Sequence, residues 1–95
     1  DLLRAAWSTR STREAILRSG YPGYDTSVGW FNYSDDQVRE NCLRAVAAGF
    51  TAMKLKVGSK DSARDLRRAQ IVRAAAGPTA RVMVDANQQW TVPQA

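Results

Sequence analysis

The 95-residue chain has no histidine, one cysteine, three prolines and no long apolar run. Without histidine, any step that needs imidazole as acid, base or metal ligand must take it from outside these residues. The single cysteine, Cys42, excludes an internal disulfide framework and suits a reducing compartment, so a cytoplasmic location is expected. No stretch approaches the roughly 20 apolar residues of a bilayer span, and no leader pattern opens the chain, so no membrane partner is expected. Low-complexity tracts and interdomain linkers are also missing. The first residue is not methionine, which leaves room for a preceding segment.

What is present fits a folded domain. Hydrophobic residues make up 44% and charged residues 24% of the chain, a balance that argues against disorder. The net charge is +5, which formally suggests an anionic partner. The arginines, however, are scattered from Arg4 to Arg81, and Asp61 and Asp65 dilute the cluster Arg64, Arg67 and Arg68. Solvated helix faces explain this better than a nucleic-acid surface, and no nucleic-acid partner is expected. A basic binding module is the non-enzymatic alternative, and it would show steeply salt-dependent affinity.

Four capping-box spacings mark helix starts: Ser11 with Glu14, Ser34 with Gln37, Ser62 with Asp65, and Thr91 with Gln94. The second predicts a helix with Val38, Cys42, Ala45 and Val46 on its inner face, ended by Gly49. Cys42 then reads as a core residue. The third predicts an inner stripe of Leu66, Ala69, Val72 and Ala76, ended at Gly77-Pro78. Residues 1–20 read as a helical lead-in. Strands are expected over Tyr24–Trp30, Ala52–Val57 and Arg81–Asp85. Helices alternating with strands in this way imply parallel β/α units over residues 21–95. The segment "TVPQA" opens a further helix and stops, so residues 21–95 are expected to be an incomplete barrel from a larger protein, since complete β/α barrels take about 250 residues.

Strand alternation then selects residues. In "AMKLKVG", Met53, Leu55 and Val57 share one face, and Lys54 and Lys56 share the other. In "RVMVDANQ", Val82, Val84 and Ala86 share one face, against Met83, Asp85 and Asn87. Lys56 and Asp85 both stand at C-terminal strand ends. A carboxylate and an amide converging there suit a hard cation such as Mg²⁺.

These two segments, "MKLKVG" and "VMVDANQQWTVPQA", resemble the enolase superfamily, in its mandelate racemase-like and acid-sugar dehydratase branches. The stretch "YPGYDTSVGWFNYSDDQV" running into "GFTAMKLKVG" is similar to the L-fuconate dehydratases. The resemblance implies a partial TIM-type (β/α) barrel and a Mg²⁺ cofactor. It also implies a lyase that removes the proton next to a carboxylate and eliminates water to give a 2-keto-3-deoxy sugar acid. By it, Lys56 is the catalytic base, Lys54 contacts substrate, Asp85 binds the metal, and Asn87 supports the metal shell or the substrate. Strand phase adds Tyr24 and Thr26 as substrate-binding residues. A racemase, an epimerase or a dehydratase for another sugar acid is the alternative within the same family. The parent protein is expected to be a homo-oligomer acting on a small sugar acid, with these residues alone inactive. Trp30, Phe31 and Tyr33 are expected to cover the barrel rim.

Overall fold

The computed structural model describes all of residues 1–95. Two helices lead in, α1 (Leu2–Trp7) and α2 (Arg10–Ser19). Then follow β1 (Asp25–Gly29), α3 (Asp35–Ala47), β2 (Ala52–Lys56), α4 (Ser62–Ala76) and β3 (Arg81–Asp85). A short 3-10 turn, Val92–Gln94, ends the order. The strands form one sheet in the order β1-β2-β3, with both pairings parallel. A parallel pair needs a crossover rather than a hairpin, and α3 and α4 supply the two crossovers. They pack side by side over one face of the sheet.

That face holds the core. Val28, Met53, Leu55 and Val57 from the strand segments meet Val38, Cys42 and Ala45 of α3 and Val72 of α4. The alternation expected in β2 is present: Met53 and Leu55 are fully buried, and Val57, just past the strand, is 4% exposed. Full burial of each such side chain is worth about 1.5–3 kcal/mol before ordering entropy is subtracted. Gly58 follows with φ 101°, and a Cβ there would lie 2.9 Å from the Ala86 carbonyl oxygen. Only glycine lets the β2 and β3 loops approach this closely.

The expected helix starts divide. The Ser34–Gln37 box forms in both directions: the Ser34 hydroxyl accepts from the Gln37 N–H at 3.2 Å, and the Gln37 amide oxygen accepts from the Ser34 N–H at 2.9 Å. Gln94 similarly reaches back to the Thr91 N–H at 2.8 Å, but only a 3-10 turn follows. Ser11 lies inside α2, whose cap position is Thr9, and Glu14 pairs with Arg10 at 2.6 Å instead. At α4 the cap is Asp61, which accepts from the N–H groups of Ala63 and Arg64. Its carboxylate carries two acceptor oxygens and a charge that suits a helix start, so it outcompetes the Ser62 hydroxyl.

Two inner stripes also shift. Val46 is 40% exposed and Leu66 is 61% exposed, so neither belongs to the core. In α4 the inward positions are Asp65, Arg68 and Val72, with Ala69, Ala75 and Ala76 partly buried. Val84 faces the helix side, opposite Leu55 in the ladder, yet stays 52% exposed because no helix covers β3. In β1 the register slips between Asp25, paired with Met53, and Gly29, paired with Leu55. This irregularity breaks the period of two and brings adjacent Val28 and Gly29 both into buried positions. Helices α1 and α2 bury no residue. No helix is long and apolar enough to cross a membrane.

Candidate active site

The helix-free face of the sheet carries the chemistry. Lys54 pairs with Met83 and Lys56 with Asp85 in the β2–β3 ladder, so the two lysines and the carboxylate rise from adjacent positions. The Lys56 ammonium donates to Asp85 Oδ2 and to Asn87 Oδ1, both at 2.8 Å. Lys54 Nζ reaches the same Asp85 oxygen at 3.3 Å. One carboxylate oxygen therefore sits between two ammonium groups, which relieves their repulsion. All three side chains are half-buried. The hydrogen bond from Lys56, then the one from the Asn87 N–H, then Lys54, hold the Asp85 carboxyl down at about 2, against the usual 3.8.

The backbone after β3 is bent for this purpose. Asn87 and Gln88 adopt consecutive left-handed conformations, φ 46° and 62°. Asparagine tolerates that region, whereas glutamine there costs about 1–2 kcal/mol. The bend brings the Asn87 amide oxygen to Lys56 and its N–H to Asp85 Oδ1, 3.1 Å away. Tyr24 lies just before β1, and Lys54 Nζ is 5.5 Å from its ring centroid. Thr26 is exposed on the irregular strand and takes no part in the hydrogen bonds of the cluster. The structure thus joins Lys54, Lys56, Asp85 and Asn87, adds Tyr24 through its ring, and leaves Thr26 aside.

Rim aromatics and two buried charged residues of α4 shape the surroundings. The Trp30 ring centroid is 6.0 Å from Lys56 Nζ. Trp30, Phe31, Lys56, Gly58, Asn87 and Gln89 line a cavity of about 270 Å³ beside the cluster. Asp65, 4% exposed, accepts from the N–H groups of Gly58 and Ser59 at 2.9 and 2.8 Å. Arg68, fully buried, donates to three carbonyls of the β1–α3 turn. Their signal in the sequence was phase: Asp65, Arg68, Ala69 and Val72 follow the helical inner-face spacing.

For a metal, Asp85 and Asn87 offer the oxygen donors that Mg²⁺ prefers. They are only part of a shell, because no three His, Cys, Asp or Glu side chains converge anywhere in the chain.

Parallel β/α units with charged groups at the C-terminal strand ends define the class: part of a β/α-barrel protein. Residues 37–95 match the family described as Enolase C-terminal domain-like, and the chain belongs to the enolase superfamily. It is 44% identical over 96 residues to the human mitochondrial enolase superfamily member 1, covering 100% of this chain and 21% of that protein. It is 37% identical over 92 residues to L-galactonate dehydratase of Hypocrea jecorina, covering 95% of this chain and 20% of that one. The crystal structure of the human protein superposes with a TM-score of 0.79 at 41% identity, over 98% of this chain and 21% of that one. L-Talarate dehydratase from Polaromonas sp., solved with Mg and L-glucarate, superposes at 0.68 and 41% identity, over 74% of this chain and 20% of that one. The chain spans about a fifth of the length of these relatives.

Proposed function

We propose that the chain supplies the first strands of the barrel of a Mg²⁺-dependent acid-sugar dehydratase, with Lys56 as the base that removes the α-proton. The observation that carries this reading is the seating of Lys56 Nζ between Asp85 and Asn87, 2.8 Å from each, on the uncovered face of the sheet. A neutral lysine amine has two N–H bonds and one lone pair. When the Lys56 ammonium gives up one proton, its two remaining N–H bonds stay on these acceptors and the lone pair faces the substrate carbon acid. Lys54 holds the substrate carboxylate and sets its orientation, and Tyr24 bounds the sugar's hydroxyl side. Asp85 binds Mg²⁺ with Asn87 in support; when bound, the metal stabilises the second negative charge that develops on the substrate carboxylate.

In the reaction the Cα–H bond breaks and its proton passes to Lys56. The carbon–oxygen bond at Cβ then breaks, the hydroxyl leaves as water with a proton from an acid outside this chain, and the enol product becomes a 2-keto-3-deoxy acid. Relatives named as dehydratases of galactonate and of talarate and galactarate support the substrate class. Within it we assign L-fuconate, on the likeness of Tyr21–Val38 to enzymes that use it. A cytoplasmic, homo-oligomeric parent belongs to the same proposal.

The test uses the full-length enzyme with Mg²⁺ and a panel of L-fuconate, L-galactonate, galactarate and L-talarate. Dehydration of at least one is expected, fastest with L-fuconate. Lys56→Met is expected to abolish exchange of the substrate α-proton with solvent deuterium while Mg²⁺ binding persists. Normal exchange in Lys56→Met would remove Lys56 from the mechanism, and faster turnover of another acid would replace L-fuconate.

A further inference from the structure

The first turns of α4 hold two loops at once. Arg68 Nη1 donates to the carbonyls of Phe31 at 2.9 Å and Tyr33 at 3.3 Å, and Nη2 donates to that of Trp30 at 2.6 Å. Arg64 donates to the Phe31 carbonyl as well, and its guanidinium lies 5.1 Å from the Phe31 ring centroid. One turn earlier on the inner face, Asp65 holds the loop that follows Lys56. The turn of residues 30–33 is thereby fixed, and Trp30, Lys56, Gly58 and Asn87 line one cavity.

Stability alone is a poor reason for this arrangement. Arg68 Nε, Asp65 Oδ1 and Arg64 Nη1 are buried without a hydrogen-bond partner, the last two facing each other as a loose ion pair at 3.9 Å. Buried charged groups can often be replaced by apolar side chains at no loss of stability, and unsatisfied ones carry a further cost of desolvation. What the guanidinium provides that a leucine cannot is a fixed geometry for three carbonyls. Trp30 itself remains 53% exposed, so its backbone is held by Arg68 while its indole stays outside the core. An indole face within 6.0 Å of a lysine ammonium is a surface on which the C–H groups of a polyol chain pack.

We propose that Trp30 is the stacking surface for the carbon chain of the acid sugar and that Arg68 is the positioning residue that fixes it. This rests on the reading of Lys56 as the base toward that substrate class. It adds the residue that distinguishes a long sugar acid from a short hydroxy acid.

In the full-length enzyme, Trp30→Leu is expected to raise KM for six-carbon acid sugars roughly tenfold, more than it lowers kcat. The rise shrinks as the substrate chain is shortened, and Trp30→Phe recovers most of it. Arg68→Met is expected to raise KM in the same direction and to increase acrylamide quenching of Trp30 fluorescence, read in a background where every other tryptophan of the full-length enzyme is replaced by phenylalanine. Arg68→Lys restores part of both. An unchanged KM profile in Trp30→Leu overturns the stacking role. Arg68→Met that lowers Tm but leaves KM and quenching unchanged reduces Arg68 to a core residue and overturns its positioning role. If Arg68→Met does not fold, Arg68→Lys decides by the same two readouts. A wild-type enzyme that neither binds nor turns over any acid sugar overturns the reading of the site, and this inference with it. Wild-type turnover with a silent Trp30→Leu overturns the inference alone.

Discussion

Asp85 is the residue on which the cluster turns, because two lysines and a backbone N–H all point at its carboxylate. The hydrogen bond from Lys56, with that from the Asn87 N–H, pulls its carboxyl down from the usual 3.8 to about 2. A depressed carboxyl contributes stability that is complete above the unfolded value and is lost as pH falls through the folded one. We expect the Asp85 carboxyl carbon to titrate at about 2 by NMR. In Asp85→Asn the acid dependence of stability between those two values should weaken. A wild-type midpoint at the ordinary 3.8 would mean that the lysines do not sit on it. At this scale the sequence was informative for a simple reason. Side chains of a strand alternate, so Lys54 and Lys56, two residues apart, had to share a face, and Asp85 joined them once β3 paired in register.

At the scale of elements, legibility depended on how regular each one is. Strands β2 and β3 obey a period of two, and their inward residues followed from it. Strand β1 does not, because its register slips between Asp25 and Gly29, and Thr26 was placed by an alternation that the strand lacks. Helix α4 misled in another way. Sequence patterns treat apolar positions as inner ones, which chose Leu66, whereas the inner face there carries Asp65 and Arg68, whose partners are backbone groups of distant loops. Such long-range acceptors leave no mark in local spacing. The start of α4 offers a clean discrimination between cap residues. Asp61→Ala is expected to cost about 0.5–2 kcal/mol in chemical denaturation, while Ser62→Ala should leave the midpoint nearly unchanged because Asp61 makes the capping bonds. The reverse order would restore the box of Ser62 with Asp65.

For the whole molecule, the site is assembled from one side only. A single carboxylate with one supporting amide is a small part of the oxygen shell that Mg²⁺ requires. Calorimetric titration of the 95-residue chain is therefore expected to show no tight Mg²⁺ site, and a stoichiometric sub-micromolar site would overturn that partition. The sheet is likewise bounded by two free margins, β1 and β3. Strand β3 has a half-exposed valine on its uncovered helix side and no proline or lysine within it. Rows of unpaired N–H and C=O groups at such a margin recruit other chains. The consequence is colloidal: the isolated chain should self-associate as its concentration rises. Light scattering would follow this, and Val84→Lys should suppress it by placing a charge on the strand that a growing aggregate must cover. The openness that leaves the Lys56 face of the sheet uncovered thus also makes the isolated chain adhesive.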